Sequence, residues 1–159
     1  PAGMKLAVLA VGHRQPGWVN DGCAEYLKRM PRELPASVSE IKPEPRGSKT
    51  REQLLAAEKG RIRDALPGSC RIVVLDEKGE DLTTLKLAKR LEVWMQDGRD
   101  VALLIGGADG LDEEFKQQAD DKLRLSSLTL PHGMARLILC EQLYRAVSVL
   151  KNHPYHREG

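Results

Sequence analysis

Residues 71–107 read RIVVLDEKGEDLTTLKLAKRLEVWMQDGRDVALLIGG, and the fold class follows from them. Arg71 to Leu75 is a β-branched run of strand length closed by Asp76, and Lys78-Gly79 has the composition of a turn. Thr83 or Thr84 offers a capping oxygen to a helix whose Leu87, Leu91 and Trp94 recur at helical spacing until Gly98. Asp100 to Ile105 is a second run without polar alternation, cut off by Gly106-Gly107. Strands apolar along their whole length are covered on both faces, and two of them flanking a helix form the βαβ unit of a parallel sheet.

Working outward, Met4 to Val11 is another strand-length apolar run, and Trp18 to Met30 has helical spacing up to Pro31. Ala36 to Ile41 alternates as a strand, a loop covers 43–48, and Thr50 to Leu66 reads as a helix with Leu54, Leu55, Ile62 and Leu66 on its apolar side. Beyond the glycines come a short helix at about Asp112 to Ala119, a strand near Leu123 to Ser126, and a final helix from about Gly133 to Leu150. The expectation is an α/β fold with a mostly parallel sheet flanked by helices. In such sheets ligands sit at the carboxyl ends of the strands, so the turns after Leu75, Ile105 and Arg124 are expected to meet at one crevice.

The chain's 159 residues suit a single domain, taken as 4–159, with Pro1-Ala2-Gly3 read as a remnant outside the fold. Neither a signal peptide nor a membrane-spanning run is legible, so a cytoplasmic protein with no membrane partner is expected. Cys23, Cys70 and Cys140 have neither disulfide nor zinc-ligand spacing, and Cys140 reads as a small buried hydrophobe; no metal site follows. The net charge of +2 does not establish a nucleic-acid partner. Lys42, Arg46, Lys49 and Arg51 cluster in a loop, with Lys59, Arg61 and Arg63 beyond. Interspersed Glu40, Glu44, Glu52, Glu58 and Asp64 leave a mixed solvated face and an RNA contact equally open. Few aromatics argue against a base-stacking platform.

Four segments carry the candidate chemistry. Gly106-Gly107-Ala108-Asp109-Gly110 permits positive φ and close approach of a ligand to backbone, or is simply a tight turn; no phosphate-binding signature accompanies it. Leu125-Ser126-Ser127-Leu128-Thr129-Leu130 combines apolar side chains with hydroxyls, as an adenine ring requires, or merely leads into a helix in which His132 caps or packs. From Met134 to Leu150 only Arg136, Glu141, Gln142, Arg145 and Ser148 are polar. A helix apolar on most sides needs cover on most sides, and a second subunit is the simplest source, hence a homodimer. Glu141 and Arg145 stand four apart, an intrahelical pair or a functional arginine. The tail places His153, Tyr155, His156 and Arg157 together, either as decoration or as a grip on a base and its phosphate.

Taken together, LLIGG, LSSLTLPH, the spaced Arg136 and Glu141-Gln142-Leu143-Tyr144-Arg145-Ala146, and the terminal HPYHR resemble the RlmH family. These are small SPOUT-class methyltransferases that act on N3 of a pseudouridine in large-subunit ribosomal RNA. The resemblance spans Met4 to Glu158, departing from the family's common Pro-Glu at Ala108-Asp109. It implies a carboxy-terminal trefoil knot and a homodimer acting on ribosomal RNA; the low net charge adds the expectation of an assembled surface, from a dimer's doubled basic patches or from a target presented by the assembled ribosome. It also implies S-adenosyl-L-methionine lying against Leu75, Gly106 and Leu125, Ser126, Ser127, Leu128, Thr129 and Leu130. Arg145, Tyr155 and His156 fall at catalytic positions, and His153 and Arg157 at positions that bind the target. The competing reading is a non-catalytic ribosome- or RNA-associated module, which would lack cofactor binding.

Overall fold

The structure, a computed structural model, describes residues 3–157; the reading of Pro1 and Ala2 falls outside that range. Five strands form one all-parallel sheet: β1 (Leu6–Val11), β2 (Ala36–Ile41), β3 (Arg71–Asp81), β4 (Val101–Ile105) and β5 (Asp121–Arg124), in the order β2-β1-β4-β3-β5. The helices are α1 (Gly17–Leu27), α2 (Arg51–Ala65), α3 (Thr84–Asp97), α4 (Glu113–Gln118) and α5 (His132–Leu150), followed by a 3₁₀ turn at Pro154–Arg157.

The alternation of a pleated strand distributes these elements into three layers. In β4, Val101, Leu103 and Ile105 join Leu6, Val8 and Ala10 against Leu87, Leu91 and Trp94 of α3 and Leu139, Leu143 and Val147 of α5. Ala102 and Leu104 face the other way, with Leu9 and Val11, onto Ile62 of α2 and Phe115 of α4. Helix α5 lies between α1 and α3, with Cys23, Cys140 and Val19 closing the α1 side. Both of those cysteines are buried and all three are unpaired, as a small-hydrophobe role for Cys140 requires.

Local signals explain most boundaries. Thr50 and Gln53 form a reciprocal capping box on α2, Thr83 rather than Thr84 caps α3, and Gly98 ends α3 with φ +82°. Helix α1 stops at Leu27, three residues short of the expected Met30.

Two expectations are corrected. Asp76 does not close β3, and Lys78-Gly79 is not a turn. The strand bulges after Leu75 and pairs again through Glu80 and Asp81 with Leu123 and Arg124. Gly79 makes that possible, since a Cβ there would lie 2.7–2.9 Å from the backbone of Leu123. The last strand spans Asp121–Arg124, not Leu123–Ser126. Asp121 is fixed there by Arg71, Arg90 and the indole N–H of Trp94.

Candidate active site

Leu75 is in register with Ile105 on one side and Leu123 on the other. With strands ~4.8 Å apart, these three residues form a row roughly 10 Å long at the carboxyl edge of the sheet. The ends of β4 and β5 therefore meet beside Leu75 as expected, although β3 bulges there instead of turning. The chain leaves β5 at one edge of the sheet and reaches His132, which meets Gly12 after β1 and the backbone of Gly106 after β4. Residues 125–131 accordingly cross the ends of β3 and β4.

The glycine turn closes on itself. Gly110 donates to the carbonyl of Gly107 at 3.0 Å and takes φ +81°. A Cβ on Gly106 would lie 2.6 Å from the carbonyl carbon of Gly110, a clash with backbone that no rotamer relieves. Gly106→Ala is expected to force the turn open and to cost about 2 kcal/mol, in the range of overpacked sites; urea unfolding monitored by circular dichroism reads this directly. From the other face of the sheet, Arg46 binds the Asp109 carboxylate at 2.7 Å and Arg51 its carbonyl at 2.8 Å. The basic loop is thereby largely consumed internally. Arg61 pairs with Glu44, and Lys59 and Arg63 pair with Glu114.

Residues 125–131 adopt no regular structure, so their backbone groups are not committed to a ladder. Leu75, Leu125, Ser126 and Leu130 are half-buried, whereas Ser127 and Thr129 are exposed and Leu128 is 75% exposed. The apolar wall expected across Leu125–Leu130 thus reduces to Leu125 and Leu130 with Leu75. The Ser126 hydroxyl accepts from the Leu128 amide at 2.9 Å, which fixes the bend.

Sequence reasoning missed the polar centre of this region. Arg136, only 1% exposed, donates through Nε to His132 Nε2 at 2.8 Å, through Nη1 to Glu40 at 2.6 Å and through Nη2 to the His13 carbonyl at 3.4 Å. The available signal was an arginine four residues after a histidine inside an otherwise apolar helix; its acidic partner lies 96 positions away. Desolvation first, then the positive charge of Arg136, hold His132 below its ordinary pKa of about 6.5. The Gly106 contact and Glu40 oppose this, and His13 contributes only its carbonyl. A histidine with a depressed folded pKa binds its proton first in the unfolded chain. Its contribution to stability is therefore whole above about pH 6.5 and declines as pH falls below that value. Chemical denaturation at pH 7.5 and 5.5 should show this loss in the wild type and a smaller one in His132→Asn.

The tail forms a second cluster. Glu141 accepts from Arg145 Nε and from the Tyr155 hydroxyl, each at 2.8 Å, and Arg145 Nη1 reaches the His156 carbonyl at 3.4 Å. The Arg145 guanidinium lies 4.6 Å from the Tyr155 ring centre, and Tyr144 and Tyr26 pack around it. The pair is not solvated, as Arg145 and Glu141 are 20% and 18% exposed. Burial, followed by hydrogen bonds with Tyr26 and Glu141, raises the Tyr155 pKa and keeps the phenol protonated at neutral pH. Ser148, the last polar residue of the helix, is buried and donates to the Tyr144 carbonyl. His153 and Arg157 lie exposed at the rim; His153 Nδ1 accepts from the Tyr155 amide, and Arg157 donates to Asn152.

These two clusters are far apart within one chain. Arg145 stands thirteen positions beyond His132 in α5, about 20 Å along its axis. Among the described residues no group of acidic, histidine or cysteine side chains could hold a metal ion, and no helix is long and apolar enough to cross a membrane.

An open parallel sheet with a glycine turn and a bent segment across its strand ends belongs with the SPOUT methyltransferases. Residues 4–156 match the family described as "Predicted SPOUT methyltransferase", and the chain belongs to it. Within it, the chain belongs to the RlmH family. It is 90% identical over 156 residues to Ribosomal RNA large subunit methyltransferase H of Dechloromonas aromatica (strain RCB), covering 98% of this chain and 100% of that protein. The Burkholderia ambifaria (strain MC40-6) protein of the same name is 60% identical, covering 97% and 99%. A probable methylase family protein from Haemophilus influenzae Rd KW20 shares the fold with a TM-score of 0.56 at 14% identity, covering 96% of this chain and 70% of that one. A putative methylase family protein from Neisseria gonorrhoeae does so with a TM-score of 0.51 at 15% identity, covering 89% and 82%.

Proposed function

We propose that this protein transfers a methyl group from S-adenosyl-L-methionine to N3 of a pseudouridine in large-subunit ribosomal RNA within assembled ribosomes. The observation that carries the reading is the segment 125–131 laid across the ends of β3 and β4 beside Gly106. Its chemistry fits the donor: Leu75, Leu125 and Leu130 offer apolar cover for an adenine ring, and the backbone of 125–130, outside any ladder apart from the Leu128 amide bonded to Ser126, suits its polar edge. The same path is what a knotted carboxy-terminal segment needs, passing beside the 106–110 turn.

When bound, the donor supplies an already activated sulfonium methyl. The chain's own residues must hold the target nitrogen in line and lower the cost of removing its proton. In this reading Arg145 stabilises the developing base anion, and His153 and Arg157 at the exposed rim bind the target. Tyr155, protonated and bonded to Glu141, passes protons rather than abstracting one, and His156 shares the relay. Because about 20 Å of α5 separates the crevice from the tail, one copy cannot bring both to the same nitrogen. A homodimer in which each crevice faces the other copy's tail resolves this.

The test is mass mapping of large-subunit ribosomal RNA from cells with and without the gene. A pseudouridine lacking its methyl group only in the deletion supports the reading; an unchanged map refutes it. Calorimetry with S-adenosyl-L-methionine separates the non-catalytic module, which would give no heat.

A further inference from the structure

We propose, on the ribosomal-RNA reading above, that the loop after β1 and the first residue after β2 form a surface for RNA beside the crevice. Arg14 and Lys42 there contact phosphates, and Trp18 stacks on an unpaired base next to the target. The two segments adjoin: Val11 is in register with Ile41, and the Gly12 amide donates to the Ile41 carbonyl at 3.1 Å. The loop also borders the crevice. A Cβ on Gly107 would lie 3.3 Å from the Val11 carbonyl oxygen, and one on Gly12 would lie 2.8 Å from His132 Nε2.

The backbone here is held from within. The His13 carbonyl accepts from Gln15 Nε2 at 2.9 Å and from Arg136 Nη2 at 3.4 Å, and Asn20 donates to the Gln15 carbonyl at 3.4 Å. The Lys42 carbonyl accepts from Arg61 at 2.8 Å. By contrast, the side chains of Arg14 and Lys42 are exposed and, among the described residues, form no hydrogen bond or ion pair. That sets them apart from Arg46, Arg51 and Arg61, whose guanidiniums bind Asp109 and Glu44. Trp18, in the first turn of α1, is 58% exposed. A fixed backbone bearing free cations and a free indole meets a ligand with little left to order.

RNA is the occupant that this chemistry fits. N3 lies on the pairing edge of its base, so the strand must be unpaired where it is methylated, and unpaired bases are gripped by stacking on aromatic side chains. A single indole is no platform, but one stacked base needs no more. Free cations match phosphates, whose neutralisation releases counterions. Asp21, on the same face of α1 as Trp18, is exposed and opposes them.

Binding of the full chain to ribosomes from cells lacking the gene, measured between about 50 and 200 mM KCl, tests this. Replacing Arg14 and Lys42 together by alanine should weaken binding at least about tenfold at the lower salt. The slope of log K against log[KCl] should fall by about 1.4–1.8, as two lost phosphate contacts imply. Trp18→Ala should weaken binding at least about fivefold with the slope unchanged, and Trp18→Phe should stay within about twofold of the wild type. Asp21→Asn should tighten it. Lys86→Ala with Lys89→Ala removes the same charge from α3 and should stay within about twofold, and all variants should keep their affinity for S-adenosyl-L-methionine. Equal weakening by the α3 pair, or an unchanged slope without Arg14 and Lys42, would overturn the proposal. So would separation of copies by Trp18→Ala, which would make this face an interface between them. Wild-type protein that binds ribosomes without methylating them would sink the enzymatic reading alone, whereas no binding at all would overturn this surface as well.

Discussion

Arg145→Ala is expected to lower kcat for ribosomal RNA methylation by about 10²–10³, the scale for losing a preorganised charge that faces a developing anion. The dissociation constant for S-adenosyl-L-methionine should stay within about threefold of the wild type, because Arg145 is roughly 20 Å from the crevice along α5. Rapid-quench single-turnover assays give the first number and calorimetry the second; equal loss of both would refute the division of labour. The proposed composite dimer adds a sharper result. Arg145→Ala has a sound crevice and Gly106→Ala has a sound tail, so each fails alone. Mixed and reassembled, about half the dimers should be hybrids with one intact site of two, restoring about a quarter of the activity. No recovery would mean that both clusters act within a single copy.

The largest stability effect is expected at Trp94. Its indole is fully buried under the sheet, and its N–H donates to Asp121 at 3.3 Å, so Trp94→Ala leaves a large cavity and removes one of the three donors that hold Asp121. A cost of about 3–5 kcal/mol follows from comparable core truncations, against a total of about 5–15 kcal/mol for an ordinary domain. Urea unfolding should show the midpoint collapse with little change in slope. Trp18, the other tryptophan, is 58% exposed, and its alanine variant should fall within about 0.5 kcal/mol of the wild type. A Trp94 variant as stable as the Trp18 variant would contradict the packing described for α3.

How much of this was legible in the sequence depended on whether a segment's neighbours were implied by its own pattern. β4 was readable because a strand covered on both faces carries no polar residue. Thr83 and Gly98 were readable because caps act within a few residues of themselves. The second half of β3 was not, since Asp76 to Asp81 is made of turn-forming and charged residues and is extended only by pairing with β5. The meeting of the strand ends was legible from the rule for parallel sheets, and the family resemblance supplied the proposed occupant. The buried Arg136 was not legible, because what satisfies it comes from residues brought in by two other strands. Nor was the distance between crevice and tail, which depends on α5 carrying the chain away from the end of the sheet at which it starts.

The strand order β2-β1-β4-β3-β5 has a consequence for synthesis. β1 and β2 can pair as soon as both have emerged, but β3 finds no partner among the residues made before it. Its place is next to β4, which wedges between β1 and β3 about a hundred residues into translation. Until then two apolar strand edges stand open, the condition that favours sticking to other nascent chains. β4 is thus the keystone of the sheet, and a polar residue at Leu103 or Leu104 would harm yield from the cell more than it lowers the melting temperature of whatever protein is recovered.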